Sequence, residues 1–296
     1  MRLPLAFRVD DALAIHRRDP ASLAESVQGQ VLNKGLCWQG RPARLQLRFT
    51  PRMALAELAV DDAAREPTEA DVTAFSAMLE RMLGLQIDAN TFEELHVPHP
   101  VLGPLLRQQR GLRPPAMSTP FEALVWAIAG QQISVAAATA LRRRMLAACG
   151  LRHSSGMLCF PDAAALMRLE AEDLRAAGFS ASKIASVRAV GAAVLDGSLP
   201  LEDWAVSATV PVADIEARLL AIKGIGPWTV HYTLLRGFGW LDGSLHGDVA
   251  VRNALARLLQ VESVSPLQTQ QWLSEFSPWR ALVAAHLWAS LSVKSF

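Results

Sequence analysis

A short segment in the C-terminal third of the chain combines residues suited to anion binding with an isolated carboxylate. Gly224 and Gly226 lie in a tight turn, and Pro227 follows at the first position of a predicted helix. Glycine permits a positive φ and a close backbone approach, and proline suits a first helical position because its missing N–H is not needed there. The free amides of this helix start predict an anion site, with DNA phosphate as the natural ligand.

Asp248 follows this turn after a Gly-rich loop, at the start of another predicted helix. Its place before residues 249–255 is typical of an N-cap, and from spacing alone capping is the plainer interpretation. The two roles are compatible, because a helix N-terminus favours the carboxylate form that chemistry beside a bound strand would need. Asp248 is therefore the first candidate for a catalytic residue.

The first 60 residues are predicted to be rich in β-strands. Residues 43–49 alternate apolar and polar side chains, as a half-buried strand does, and residues 27–38 form a second, less regular candidate. A turn is expected between these two segments, near Gly40. No motif in this part of the chain indicates a chemical role.

The chain beyond residue 68 is predicted to be helical. Residues 68–85 place their apolar side chains on one helical face, and Thr68 with Asp71 forms a start that resembles a capping box. Short breaks that contain glycine or proline separate the later helices, and residues 111–115 are the clearest linker candidate. The expected fold class is α+β, mostly α.

Composition allows a substantial core and excludes several classes of protein. The chain has 296 residues, of which 51% are hydrophobic. No uncharged apolar run reaches the length of a membrane span, and the apolar stretch at the start is too short for a signal peptide. The three cysteines are few and odd in number, which fits a reducing cytosol and gives no metal-ligand spacing.

The net charge of +1 is modest for a protein that binds DNA, since phosphate affinity usually depends on Lys and Arg. Basic residues cluster at residues 107–113 and 142–144, and acidic residues gather at residues 61–71. A polarised surface would reconcile a nearly neutral chain with DNA binding, although each charge run by itself is more simply interpreted as a solvated face.

Four motifs follow one another along the chain in residues 120–134, 178–191, 219–248 and 278–288. Together they resemble the helix-hairpin-helix DNA glycosylase superfamily, and most of all its bacterial 3-methyladenine DNA glycosylase II branch. The resemblance covers most of residues 115–290. It implies a small antiparallel β domain before two helical domains with a cleft between them, and we place these at residues 1–112, 113–230 and 231–296.

The resemblance implies a base excision repair enzyme that flips alkylated purines, of the 3-methyladenine and 7-methylguanine type, out of DNA and leaves an abasic site. It identifies Asp248 as the catalytic residue, since an ionised carboxylate can stabilise an oxocarbenium-like sugar or activate the attacking water. It also identifies Trp228, Tyr232 and Trp288 as an aromatic base pocket. A cationic purine stacks on such rings with a gain of roughly 0.5–2 kcal/mol.

Trp228 and Tyr232 are four residues apart and share a helical face. In bifunctional relatives, the position of Trp228 carries a lysine that attacks the sugar, so the resemblance implies a monofunctional enzyme without lyase activity. Plain core packing is the alternative for every tryptophan, and it is the interpretation that we keep for Trp126, Trp204, Trp240 and Trp272.

The resemblance implies that DNA is contacted by Gln131, Gln132, Ser134, Lys223, Gly224, Ile225, Gly226, His246 and Gly247. Gln132 would fill the gap that the flipped nucleotide leaves, although two glutamines on a helix surface explain this pair equally well. The backbone carbonyls of Leu220, Ile222 and Ile225 would hold a structural monovalent or hard cation. No cofactor is expected to be required. No cysteine follows Cys159, so the four-cysteine iron–sulfur cluster of endonuclease III-like relatives is not expected.

Two alternatives remain open from the sequence. A non-catalytic helix-hairpin-helix module would only hold DNA, and it would need neither Asp248 nor Trp288. Within the enzyme class, a glycosylase for a deaminated or oxidised base is the other alternative. We expect a monomer that binds double-stranded DNA containing alkylated bases, makes no membrane contact and works in the cytoplasm, in the bacterial cytosol or nucleoid.

Overall fold

The computed structural model describes residues 1–63 and 65–291 of the chain. The strands are Glu25–Gln28 (β1), Val31–Trp38 (β2), Arg41–Phe49 (β3) and Ala54–Val60 (β4). The α-helices within residues 1–150 are Val9–Ala14 (α1), Glu69–Met82 (α2), Ala89–His96 (α3), Leu102–Gln108 (α4), Pro120–Gly130 (α5) and Val135–Cys149 (α6). The later helices are Ala163–Leu166 (α7), Ala171–Ala176 (α8), Ala181–Leu195 (α9), Leu201–Val206 (α10), Val212–Leu220 (α11), Pro227–Phe238 (α12), Val249–Leu259 (α13), Pro266–Ser274 (α14) and Arg280–Ser290 (α15). None of the helices in the two described ranges is both long and apolar enough to cross a membrane.

The four strands form one antiparallel sheet in which each strand pairs with the next along the chain. On β3, every second side chain from Ala43 to Phe49 is buried, as the predicted alternation requires. The prediction of a single strand over residues 27–38 is wrong, because Gly29 turns the chain at a φ of +58° and separates β1 from β2. Gly40 lies in the expected turn before β3, with a φ of +78°. The predicted α+β fold, mostly α, is confirmed.

Helix α2 begins with the predicted capping box. The Thr68 side chain accepts a hydrogen bond from the Asp71 amide, and the Asp71 side chain accepts one from the Thr68 amide over 2.8 Å. The helix buries Met78 and Met82 in the core beneath the sheet. It ends three residues earlier than predicted, shortly before Gly84 adopts a φ of +60°.

The described residues form three apolar cores. One packs the sheet against α1 and α2, a second lies among α5 to α12, and a third packs α3 and α4 with α13 to α15. Helices α5 and α12 contribute to both of the last two cores. On α12, for example, Tyr232 and Leu235 face the third core, whereas Val230 and Leu234 face the second.

The contact between α5 and α12 depends on the small size of Gly237. A Cβ atom at this position would lie 2.9 Å from the Cα of Pro120 and 3.3 Å from the Cβ of Ala123. The two helices are thus a shared wall between the second and third cores. The predicted domain boundaries after residues 112 and 230 stay a prediction, and each lies between segments that share a core.

A buried cluster of charged side chains joins the sheet to the helices. Lys34 of β2 donates to Glu25 of β1 and, over 2.7 Å, to Glu122 of α5. Arg142 of α6 contacts the same two carboxylates at 2.7 and 2.8 Å, and His16 lies 3.1 Å from Glu25. Because the side chains of Lys34 and Glu122 are only 1% and 2% exposed, loss of one charge would leave the others uncompensated in a medium of low dielectric.

The basic run at residues 142–144 is therefore only in part the solvated face that its charge suggested, since Arg144 is exposed but Arg142 is not. Arg142 belongs to the buried cluster, and Arg144 donates from Nε to the carbonyl oxygen of Ala177 over 2.6 Å. Arg143 lies 3.4 Å from the carboxylate of Asp19. All three side chains thus hold α6 against its neighbours, although Arg144 also contacts solvent.

We expect Glu122→Gln to lower the free energy of unfolding by about 3–5 kcal/mol, because Lys34 and Arg142 are then left with one carboxylate between them. The matched control is Glu172→Gln, since Glu172 and its partner Arg175 are 77% and 61% exposed. That variant should change the free energy of unfolding by less than about 1 kcal/mol. Urea unfolding at neutral pH measures both effects, and equal effects would contradict the role of the cluster.

Acid gives a second readout of the same variant. Burial raises the pKa of Glu122, but the charges of Lys34 and Arg142 outweigh it and hold this pKa below the ordinary value of 4.5. The unfolded carboxyl then takes up its proton first, so the stabilisation is complete above pH 4.5 and is lost as the pH falls toward the lower native pKa. Wild type should lose this stability in acid, and Glu122→Gln should lose less.

Candidate active site

A cleft of about 1030 Å³ lies where the α5–α6 loop, the start of α12, the start of α13 and the end of α15 meet. The predicted site residues that line it are Gln131, Gln132, Ser134, Gly224, Gly226, Trp228, Tyr232, Gly247, Asp248 and Trp288. The remaining predicted residues do not line it; they are Leu220, Ile222, Lys223, Ile225 and His246. Residues that are far apart in the chain thus share one cavity.

The Asp248 carboxylate is held by three N–H groups. As the N-cap of α13, it accepts from the Val251 amide over 3.0 Å. The indole Nε1 of Trp228 donates to Oδ2 over 2.9 Å, and the indole Nε1 of Trp288 donates to Oδ1 over 3.2 Å. An ionised carboxylate is an acceptor only and can take all three bonds. Capping and a position in the cleft therefore occur together in this residue.

The three predicted pocket aromatics form one wall of the cleft. The ring centroids of Trp228 and Tyr232 are 5.2 Å apart, and those of Tyr232 and Trp288 are 6.1 Å apart. Tyr232 and Trp288 are buried, whereas Trp228 is half-buried. The wall offers a stacking surface next to the carboxylate that two of its members orient.

Histidine side chains hold the loop that delivers Asp248. Nδ1 of His231 donates to the carbonyl oxygen of Ser244 over 2.9 Å, and its Nε2 lies 3.1 Å from the Glu216 carboxylate. His246, which we predicted to contact DNA, has its Nδ1 2.9 Å from the Ser244 hydroxyl. Burial lowers the pKa of His246 from its ordinary value. His231 thus ties the loop to α12, whereas the contact of His246 lies within the loop itself.

The two predicted glutamines differ in their surroundings. The amide nitrogen of Gln131 donates to the Gly224 carbonyl and to the Thr229 hydroxyl, both over 3.0 Å, and so ties the α5–α6 loop to the hairpin. Gln132 is exposed at the cleft, and its φ of +58° is unusual for a residue with a side chain. Ser134 caps α6 by accepting from the Ala137 amide over 3.2 Å.

The hairpin turn is fixed by Ser186 of α9. The Ser186 hydroxyl donates to the Lys223 carbonyl over 3.0 Å and packs directly against Gly224, whose φ is +89°. Lys223 itself is exposed. Gly226 caps α12, lines the cleft and has free space around the position of a Cβ atom.

The predicted cation ligands are three carbonyl oxygens of the hairpin. The Ile222 carbonyl accepts from the Ile225 amide over 3.1 Å and keeps one lone pair. Apart from the bonds within regular helices, the carbonyls of Leu220 and Ile225 accept no hydrogen bond from a backbone amide of the described residues. Free carbonyl oxygens suit a hard or monovalent cation, so this set fits the expected ion.

Among the lining residues that sequence reasoning missed are three large side chains, namely Arg18, Trp126 and Arg236. Trp126 packs in the core as expected, and it also lines the cleft, with its ring beneath the guanidinium of Arg18. Arg236 could have been found, since it follows Tyr232 by four residues on the same helical face. Nothing in the local pattern around Arg18 indicates its place.

Residues 125–278 match the sequence model of a family described as HhH-GPD superfamily base excision DNA repair protein. This match covers more than half of the chain. The chain belongs to the HhH-GPD superfamily. The resemblance inferred from the motifs is therefore confirmed.

This HhH-GPD protein is similar to several 3-methyladenine DNA glycosylases. DNA-3-methyladenine glycosylase 2 of Escherichia coli (strain K12) is 28% identical over 231 residues, which are 76% of this chain and 74% of that protein. The solved 3-methyladenine DNA-glycosylase from Archaeoglobus fulgidus is 21% identical, with a TM-score of 0.79 over 97% of this chain and 96% of that one. The Schizosaccharomyces pombe 3-methyladenine DNA glycosylase, solved in complex with abasic DNA, is 26% identical, with a TM-score of 0.57 over 67% and 95% of the two chains.

Two glycine variants of this HhH-GPD protein should separate the geometry of the hairpin from its surface. Gly224→Ala places a side chain at a φ of +89° and against the Ser186 hydroxyl, so it should lower stability by about 1–3 kcal/mol. Gly226→Ser meets no atom within 4 Å and provides a favourable N-cap, so it should not lower stability. Thermal unfolding tests both, and a stable Gly224→Ala variant would contradict the constraint.

Proposed function

We propose that this HhH-GPD protein is a monofunctional DNA glycosylase that hydrolyses the N-glycosidic bond of alkylated purines of the 3-methyladenine and 7-methylguanine type. The observation that carries the proposal is the Asp248 carboxylate, held by the indole N–H groups of Trp228 and Trp288 inside a cleft. The names of the relatives support it, since the relatives from Escherichia coli and Archaeoglobus fulgidus are both named 3-methyladenine glycosylases.

The reaction requires a carboxylate at the sugar and a good leaving base. The C1′–N bond breaks, its electron pair goes to the base, and the sugar becomes oxocarbenium-like. Asp248 stabilises this positive charge and accepts a proton as water adds to C1′, which leaves a free base and an abasic sugar. Because Trp228 stands at the start of α12, no lysine amine is available there to attack the sugar, and water is the nucleophile.

The aromatic wall receives the extruded base. Trp228, Tyr232 and Trp288 offer their faces to a flat ring, and an alkylated purine with positive charge gains a cation–π attraction of roughly 0.5–2 kcal/mol. Such a base leaves as a neutral molecule and needs no dedicated general acid. Gln132, exposed at the cleft, would enter the gap that the base leaves in the duplex.

The hairpin holds the DNA backbone. The amides of Gly224 and Gly226 and the start of α12 bind a phosphate, and exposed Lys223 adds a positive charge nearby. A monovalent cation on the carbonyls of Leu220, Ile222 and Ile225 would support the turn, and the hydrolysis itself needs no cofactor. The protein acts as a monomer on double-stranded DNA with alkylated bases, in the bacterial cytoplasm.

Asp248→Asn tests the catalytic assignment. Asparagine still caps a helix, so the fold should remain, whereas base release from methylated DNA should fall by about 10²–10⁴-fold. Release of free 3-methyladenine and 7-methylguanine is measured by chromatography. Trp228→Phe is the matched variant, because it keeps a ring but removes one N–H bond to Asp248, and it should cost about 10-fold.

Binding to DNA with an abasic analogue is the control for this experiment. Asp248→Asn should bind that DNA as wild type does. If wild type and Asp248→Asn both bind DNA but neither releases a base from a panel of alkylated, deaminated and oxidised substrates, the protein is a DNA-binding module and the proposal fails.

Borohydride trapping tests the monofunctional assignment. Incubation of the enzyme with methylated duplex DNA and borohydride should give no covalent enzyme–DNA adduct, because no amine forms a Schiff base with the sugar. A known bifunctional glycosylase run in parallel shows that trapping works. A shifted protein–DNA band for this enzyme would contradict the prediction.

A further inference from the structure

The loop between α5 and α6, which carries Gln132, is held from behind by a buried lysine of α9. Lys183 is 8% exposed, and its Nζ donates to the carbonyl oxygen of Ala129 over 2.8 Å. Burial lowers the pKa of Lys183, and no carboxylate of the described residues opposes this effect. This buried lysine therefore serves a backbone carbonyl at the end of α5 and takes part in no ion pair there.

The Ala129 carbonyl needs this donor because it lies in the last turn of α5, where carbonyl groups lack amide partners farther along the helix. The amide of Ile133, four residues on, donates to the Gly130 carbonyl over 3.4 Å instead. Apart from the bonds within regular helices, no backbone amide of the described residues donates to Ala129, which is 1% exposed. Without Lys183 this carbonyl would be buried without a donor, so the end of α5 depends on the lysine.

Helix α9 holds the hairpin in the same way, one turn farther on. Ser186 follows Lys183 by three residues on the same helical face, and its hydroxyl donates to the Lys223 carbonyl over 3.0 Å. The two supported segments are also bonded to each other, since Gln131 donates to the Gly224 carbonyl over 3.0 Å. Helix α9 therefore fixes the α5–α6 loop and the hairpin relative to each other at the cleft.

Gln132 lies three residues beyond Ala129 in a backbone conformation that needs support. Its φ of +58° is in the left-handed region, where a residue with a side chain stays only if its surroundings leave it no alternative. On the C-terminal side of the loop, Ser134 caps α6 by accepting from the Ala137 amide over 3.2 Å. On the N-terminal side, Lys183 holds the end of α5. The direction of the Gln132 side chain therefore depends on how firmly both ends of this short loop are held.

We propose that Lys183 is a positioning residue for base extrusion: by holding the Ala129 carbonyl, it keeps Gln132 directed into the gap that the flipped base leaves in the duplex. The inference depends on the proposed glycosylase function, in which Gln132 enters that gap. Lys183 is buried behind the loop and does not line the cleft, so it contacts neither the base nor the sugar. It acts through Gln132 and matters where a base must leave a pair.

Lys183→Met tests this inference with two duplexes. Single-turnover release of 7-methylguanine is measured opposite cytosine, where extrusion breaks a base pair, and opposite an abasic residue, where there is no pair to break. Release from the paired site should fall by about 10-fold, the factor expected for one charge-assisted hydrogen bond. Release from the unpaired site should fall by less than about 3-fold, because extrusion costs least for an unpaired base. Lys183→Arg keeps a donor and should restore part of the loss.

Arg188→Met is the matched control, because Arg188 lies on the same helix and its cationic side chain also donates to a backbone carbonyl, that of Leu169, over 2.9 Å. Arg188 does not line the cleft, so this variant should leave both release rates unchanged. Release from the unpaired site also reports on the fold of Lys183→Met. Equal losses with both duplexes, or no loss with either, would overturn the role of Lys183.

A double-mutant cycle provides a readout that a merely structural role would not give. Gln132→Ala by itself should lower release from the paired site by about 10-fold. If Lys183 acts through Gln132, adding Lys183→Met to this variant should cost less than about 2-fold more, whereas independent losses would multiply to about 100-fold. Multiplied losses, or a Gln132→Ala variant that loses nothing, would contradict the inference.

Wild type separates the two levels of the argument. If wild type releases 7-methylguanine from neither duplex, the proposed function itself fails. If wild type releases it from both and Lys183→Met does so equally well, only the inference about Lys183 fails.

Discussion

The close packing of α5 against α12 is the constraint on which the rest of the structure depends. Gly237 allows it, because any Cβ there would collide with the backbone of Pro120. The pair separates two apolar cores and brings the end of α5 next to the start of α12. Gln131 at the end of α5 can then reach the carbonyl of Gly224 in the hairpin. The cleft opens where these two helices meet the N-terminus of α13.

The N-terminal sheet contributes to the cleft although it carries no motif of its own. The buried cluster of Glu25, Lys34, Glu122 and Arg142 fixes the sheet against α5 and α6. Because it occupies both carboxylates, neither is left to neutralise Arg18 nearby. The same N-terminal part of the chain places the guanidinium of Arg18 over the Trp126 ring at the wall of the cleft. Although the net charge of the chain is only +1, two arginine side chains thus line the cleft.

The charge distribution of the cleft links its architecture to the proposed chemistry. Asp248 is oriented by two indole N–H groups and one backbone amide, so in the proposed reaction its position would need no reorganisation when charge develops at the sugar. Arg18 and Arg236 also line this cleft, and the guanidinium of Arg236 lies 5.3 Å from the ring centroid of Trp288. In the proposed reaction, the aromatic wall stacks on a flat base while Asp248 faces the sugar.

The sequence by itself determined what depends on local spacing. The hairpin turn, the capping of α2 and α13, the alternation in β3 and the shared face of Trp228 and Tyr232 follow from neighbours a few residues apart, and the superfamily follows from motifs of this kind. Only the tertiary structure decided which distant groups meet. Trp288 donates to Asp248 across 40 residues, Gln131 reaches Gly224 across 93, and Arg18 joins the cleft from a segment without any signal. The physical reason is that such contacts are set by how whole helices pack, and the backbone periodicity around one residue carries no information about a partner on another element.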